Sequence, residues 1–144
     1  RSQYISEHVT LITADALSLP FPNNAFACAT AGFSLRNMPD LPQALTEMAR
    51  VVRPGGRITT LELTPLSTGI KSRFFRFYFH WLVPLMGQLI AGDRSAYTYL
   101  PQSVDYFLEA SRLSDLFRRV GLVDVGHIAL GFGTVALHYG TKPD

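Results

Sequence analysis

The sequence predicts an α/β domain, built on a mostly parallel sheet and finished by a C-terminal antiparallel hairpin. Three observations carry that expectation. Short β-branched apolar runs precede an amphipathic helical segment, so the hydrophobic period switches from strand-like to helix-like and back. The helical segment stops at Pro54-Gly55-Gly56 and a strand pattern resumes at once. Two late β-rich runs are joined by the turn "GFG". The 144 residues read as a single domain, with no repeat and no linker.

Taken in order, residues 9–14, "VTLITA", are apolar on both faces, which is how a buried parallel strand reads. The strand ends on Asp15. A polar turn at Pro22, Asn23 and Asn24 leads into a second buried run, Phe26 to Phe33, which contains Cys28. Asp40 stands at an N-cap, and Leu41, Leu45, Met48 and Val52 follow at helical spacing. "RITTLEL" is the next strand, Ser111 to Val120 a second helix ended by Gly121, and Leu122–Leu130 with Gly133–Thr141 the hairpin. A parallel sheet needs helices on both faces, and only eight residues precede residue 9. The chain is therefore expected to be part of an α/β layer structure.

Composition removes several function classes. A hydrophobic content of 47% with 17% charged residues is that of a core-forming globular protein, and 13 basic against 11 acidic residues leave a net charge of +2, too balanced to point to nucleic acid, and no nucleic-acid partner is expected. One cysteine, Cys28, excludes an internal disulfide, suits a reducing, cytoplasmic setting, and is expected to be a buried structural thiol. The four histidines have no ligand spacing, so no metal site is expected. "RSQYISEHVT" has no apolar core of a signal peptide. The apolar stretch 74–91 is broken by Arg76, His80, Pro84 and Gln88, which suits a packed helix, or at most peripheral membrane contact, better than a span.

The segment "RVVRPGGRITTLELT", Arg50 to Thr64, resembles a signature of the UbiE-type C-methyltransferases of ubiquinone and menaquinone biosynthesis, departing at Thr64, where that family usually carries Ser. "ADALSLPFP", "GFSLRNMPDLPQAL", "AGDRSAYTYLPQSV" and "GTVALHYG" resemble further blocks of the family, in the same order. The resemblance implies a truncated Rossmann-like class I methyltransferase fold lacking its first strands. It also implies S-adenosyl-L-methionine as cofactor and a prenylated quinol as substrate. The family's Gly-rich loop and ribose-binding acid lie upstream of the blocks matched here.

Each matched block has a physical reading. Asp15, at a strand's carboxyl end, is suited to accept from an adenine amine, with the Ala16 N–H on a ring nitrogen and Leu17 and Phe33 against the cofactor; the alternative is that Asp15 caps its own turn. Ring C-methylation develops phenolate charge, which Arg36 is suited to hold as a fixed cation beside Asn37, since a guanidinium is a poor base. The alternative for Arg36 is a structural salt bridge. Glu62 either points into the crevice or partners a turn. Tyr97, Tyr99 and Ser103 are the candidate substrate contacts, with ordinary packing as the alternative. Gly55 and Gly56 read as structural. Without the family's first strand two apolar sheet edges would be open, so a homodimer is expected, in simple or strand-exchanged form. A non-catalytic, oligomerising form that binds no cofactor is the second functional class, and a small apolar-ligand or membrane-surface module the third.

Overall fold

The computed structural model describes residues 9–65, 104 and 106–144. Four strands form one mixed sheet: β1 (Phe26–Gly32), β2 (Val52–Leu63), β3 (Val123–Leu130) and β4 (Val135–Thr141), in the order β1-β2-β4-β3. β1 and β2 are parallel; β4 runs antiparallel to both β2 and β3. Helix α1 (Leu41–Val51) packs on β1 and β2, and helix α2 (Ala110–Arg119) on β3 and β4.

α1 begins where the sequence places it. The Asp40 carboxylate accepts from the Gln43 N–H at 2.9 Å, and Pro42 occupies the first turn, where a missing N–H costs nothing. Leu45 is fully buried, with Leu41 and Met48 half-buried beside it. α2 ends in a Schellman arrangement: Leu122 N–H donates to Phe117 O and Gly121 N–H to Arg118 O, with Gly121 at φ 90°. Leu45, Val52, Ile58, Leu113, Phe117 and Leu122 meet in one core between the helices and the sheet.

The Pro-Gly-Gly segment lies inside β2 rather than before it. Between the β1 partners Phe26 and Cys28 the opposing residue jumps from Val52 to Arg57, so Arg53–Gly56 bulges out of that ladder. Gly55 N–H instead donates to Lys142 O, and Lys142 N–H to Gly56 O. A Cβ at Gly56 would stand 2.6 Å from Ala27 O, so the close approach of β1 requires glycine there.

Two expectations are corrected. Residues 9–14 form no strand: Val9, Leu11 and Ile12 are exposed, and nothing among the described residues pairs with them. A run apolar on both faces has no intrinsic stability as an isolated strand; it needs a neighbour on at least one edge. Cys28 is exposed rather than buried. Among the described residues β1 is an edge strand whose ladder engages β2 alone, so its side chains receive cover from one side. The hairpin of β3 and β4, turned through Gly131–Gly133, stands as expected.

Candidate active site

Because β1 and β2 are parallel, both deliver their carboxyl ends to the same rim of the sheet, the position where open α/β sheets hold ligands. Just past β1, Phe33 adopts a left-handed backbone (φ 53°) with its ring exposed, and its N–H donates to Leu61 O at 2.8 Å. A non-glycine residue in that conformation costs on the order of 1–3 kcal/mol and persists only where its surroundings impose it. Here it turns the chain out of the ladder into a single 3-10 turn, Leu35–Asn37. Leu35 is buried in the core and fixes the turn, while Asn37 N–H donates to Ser34 O at 3.1 Å.

Arg36 is held by the end of β2. Its Nη1 pairs with Glu62 Oε1, its backbone N–H donates to Glu62 Oε2 at 3.4 Å, and Glu62 Oε1 also accepts the Leu63 N–H at 3.0 Å. The two side chains are 11% and 1% exposed, so this pair is screened little by water. Arg36 Nε is buried and has no hydrogen-bond partner among the described residues. Arg36 also lines a cavity of about 450 Å³, together with Met38, Leu41, Tyr106, Phe107 and Arg119. The arrangement is a fixed cation with a donor to spare, suited to receive an oxygen that gains negative charge.

Asp15 sits in a turn, not at the end of a paired strand. Its Oδ1 accepts the Leu17 N–H at 2.9 Å and its carbonyl the Ser18 N–H at 3.1 Å, so one carboxylate oxygen caps the turn. The carboxylate is exposed; Ala16 and Leu17 are half-buried. Gln43 Nε2 donates to Leu17 O at 3.1 Å, which fastens the turn to the start of α1. Asp40, Leu41 and Pro42 of that same start wall the Arg36 cavity. The Asp15 turn and Arg36 therefore both border the N-terminus of α1. Tyr97, Tyr99, Ser103 and the apolar stretch 74–91 lie outside the described residues.

One feature escaped the sequence reading. Arg50 donates to both Glu47 oxygens and to Leu19 O, Phe21 O and Asn23 Oδ1, all within 2.9 Å, and Glu47 accepts the Leu19 N–H at 2.7 Å. The pair straps residues 19–23 onto α1, and the Arg50 hydrogen bonds hold the Glu47 carboxyl down to about 2. The period of β2 turns Glu62 inward: Ile58, Thr60 and Glu62 alternate onto one face, and all three are buried. At the far side, buried His138 donates its Nε2–H to Ala110 O, and burial pushes its pKa down. Among the described residues no group of three or more His, Cys, Asp or Glu could hold a metal ion, and no helix is long and apolar enough to cross a membrane.

A profile of the ubiE/COQ5 methyltransferase family matches residues 1–142. The chain is 39% identical over 142 residues to the ubiquinone/menaquinone biosynthesis C-methyltransferase UbiE of Desulfotalea psychrophila, covering 99% of this chain and 58% of that protein. It is 40% identical over 139 residues to the demethylmenaquinone methyltransferase of Anoxybacillus flavithermus, covering 96% of this chain and again 58% of the relative. The chain thus spans somewhat over half the length of these relatives. A Thermotoga maritima S-adenosylmethionine-dependent methyltransferase, described as a possible histamine N-methyltransferase, superposes with a TM-score of 0.64 over 93% of this chain and 64% of its own at 18% identity, which supports the fold alone. The four strands form the corresponding part of a class I methyltransferase sheet.

Proposed function

Since this chain belongs to the ubiE/COQ5 methyltransferase family, we propose that it serves transfer of a methyl group from S-adenosylmethionine to a ring carbon of a prenylated quinol. The cofactor, when bound, supplies an electrophilic methyl group. The residues present suit its adenine end: an exposed Asp15 carboxylate on a fastened turn, the half-buried Ala16 and Leu17, and the exposed Phe33 ring. Asp15 accepts from the adenine amine with the oxygen that its turn leaves over, and the apolar side chains cover the base.

Arg36 carries the reactive end. As the quinol ring becomes nucleophilic, one hydroxyl gives its proton to water and Arg36 stabilises the oxyanion that remains. After the ring carbon takes the methyl group it loses its own proton as the ring regains aromaticity and the oxygen is reprotonated, so one proton is released overall. Asn37, next in the same turn, supplies a second polar group. Tyr97, Tyr99 and Ser103 contact the substrate ring in this reading, and the 74–91 segment lies along its apolar tail at the cytoplasmic membrane surface. The observation that carries the reading is the buried Arg36–Glu62 pair at the carboxyl ends of β1 and β2, with Arg36 itself on the cavity wall. Titration calorimetry tests the cofactor half. Micromolar binding of S-adenosylmethionine that disappears in Asp15→Ala supports the reading; absence of heat at high concentration opposes it.

A second reading is an oligomerising, non-catalytic form that binds no cofactor. Exposed Val9, Leu11 and Ile12 and, among the described residues, the one-sided ladder of β1 favour it. An open parallel edge pairs with what is available, and a second copy related by a two-fold axis, with or without exchanged strands, is the simplest occupant. Sedimentation shows a dimer if this is right and a well-folded monomer if it is wrong.

A further inference from the structure

We infer that Glu62 is a positioning residue for Arg36, and that the atom it leaves available, Arg36 Nε–H, is the donor that receives the anionic ring oxygen. The inference rests on the reading of Arg36 given above and adds to it both the atom and the anchor. Glu62 grips Arg36 at two points, the backbone N–H and Nη1, so the side chain is tied at its root and at one tip. The Leu63 N–H on the same carboxylate fixes Glu62 in turn. A guanidinium held in this way cannot swing freely, and among the described residues Nε is left buried without a partner. A buried unpaired donor on a charged group is costly, and such groups are retained where a ligand completes them. The completing group must be an acceptor, and an anionic oxygen is the strongest one for a guanidinium N–H. Arg36 borders the cavity among Met38, Leu41 and Phe107, which offer apolar cover to an aromatic ring bearing that oxygen.

Glu62 also sets the charge at the site. It answers the Arg36 charge from behind, so the cation is not stranded when the cavity is empty, and Nε–H stays available for the ligand.

The test uses two small probes that differ in charge: 2-hydroxy-1,4-naphthoquinone, an anion at neutral pH, and uncharged 1,4-naphthoquinone. The wild-type chain binds the anion at least about tenfold more tightly, the worth of one charge-assisted hydrogen bond. Glu62→Ala brings the ratio of the two affinities close to one, and Glu62→Gln, which keeps an oxygen acceptor for Nη1, restores most of it. A merely structural role for Glu62 would weaken both probes together, or lower thermal stability, and leave the ratio where it was; that outcome overturns the inference. Should Glu62→Ala fail to fold, the wild-type protein still decides. Its Arg36 Nε–H resonance shifts and exchanges more slowly with the anionic probe only, and an unchanged resonance refutes the assignment. Failure of the methyltransferase reading is separate: it shows as no cofactor-dependent methylated product from quinol, whatever the probe ratio does.

Discussion

Arg50 and Arg36 each face a glutamate, and the two pairs use their guanidinium groups in different ways. Arg50 spends its donors on Glu47, three loop acceptors and nothing else: Nε on Glu47, Nη1 on Phe21 and Asn23, Nη2 on Glu47 and Leu19. Its side chain is 30% exposed, and the result is a strap for the segment behind the Asp15 turn. Arg36 is more deeply buried, commits Nη1 and its backbone to Glu62, and keeps Nε in reserve. What separates a strap from a working cation is therefore the donor left over, since both have an ion pair.

The largest effect expected from breaking that difference is on chemistry. Arg36→Ala lowers methyl transfer by about 100- to 1,000-fold, the usual effect of removing one group aimed at developing charge, while Arg50→Ala stays within about threefold. Arg36→Lys does not restore the rate, because a point-charge ammonium cannot hold Glu62 and a ligand in one planar fork. The measurement is turnover with radiolabelled S-adenosylmethionine, with circular dichroism to show that each variant folds.

The roles reverse in the loop. Arg50→Ala accelerates exchange of the Leu19 amide by about tenfold, since the Glu47 oxygen that accepts it loses its own anchor. Arg36→Ala leaves that amide unchanged. Hydrogen exchange read by NMR distinguishes the two, and equal acceleration in both variants would erase the contrast.

Acid sharpens it further. The Glu47 carboxyl is held down from 4.5 to about 2, chiefly by the Arg50 hydrogen bonds, so the folded state favours its ionised form. That contribution is complete above pH 4.5 and is lost as pH falls toward 2. The Leu19 amide shift should titrate in that window in the wild type and lose its transition in Glu47→Gln. A smaller effect belongs to neither pair. Burial, with His127 adding repulsion, lowers the His138 pKa, so the fold prefers the neutral ring. Its contribution is complete above 6.5 and declines as pH drops below that value, which thermal melts across pH 7 to 5 will register.

Local pattern made α1, α2, the body of β2 and the hairpin legible, because caps, strand alternation and the helical period act over a few residues. Residues 9–14 were not legible in the same way: an apolar β-rich run states that burial is wanted but not which strand supplies it. Cys28 failed for the same reason, since its exposure depends on what lies beside β1. Glu47 and Arg50, three apart on a helix, look like an ordinary surface pair, and only the fold shows the loop they bind. Arg36 and Glu62 are 26 positions apart, a distance no local rule spans. The resemblance flagged Arg36, and the alternation of β2 held a signal for Glu62.

The central claim is that Arg36 has a donor for an anionic oxygen and Arg50 does not. Titrating 2-hydroxy-1,4-naphthoquinone and 1,4-naphthoquinone into wild type, Arg36→Ala and Arg50→Ala tests it most directly. Loss of the anion preference in Arg36→Ala alone is the predicted result. A preference that survives Arg36→Ala, or falls equally in Arg50→Ala, would contradict the account.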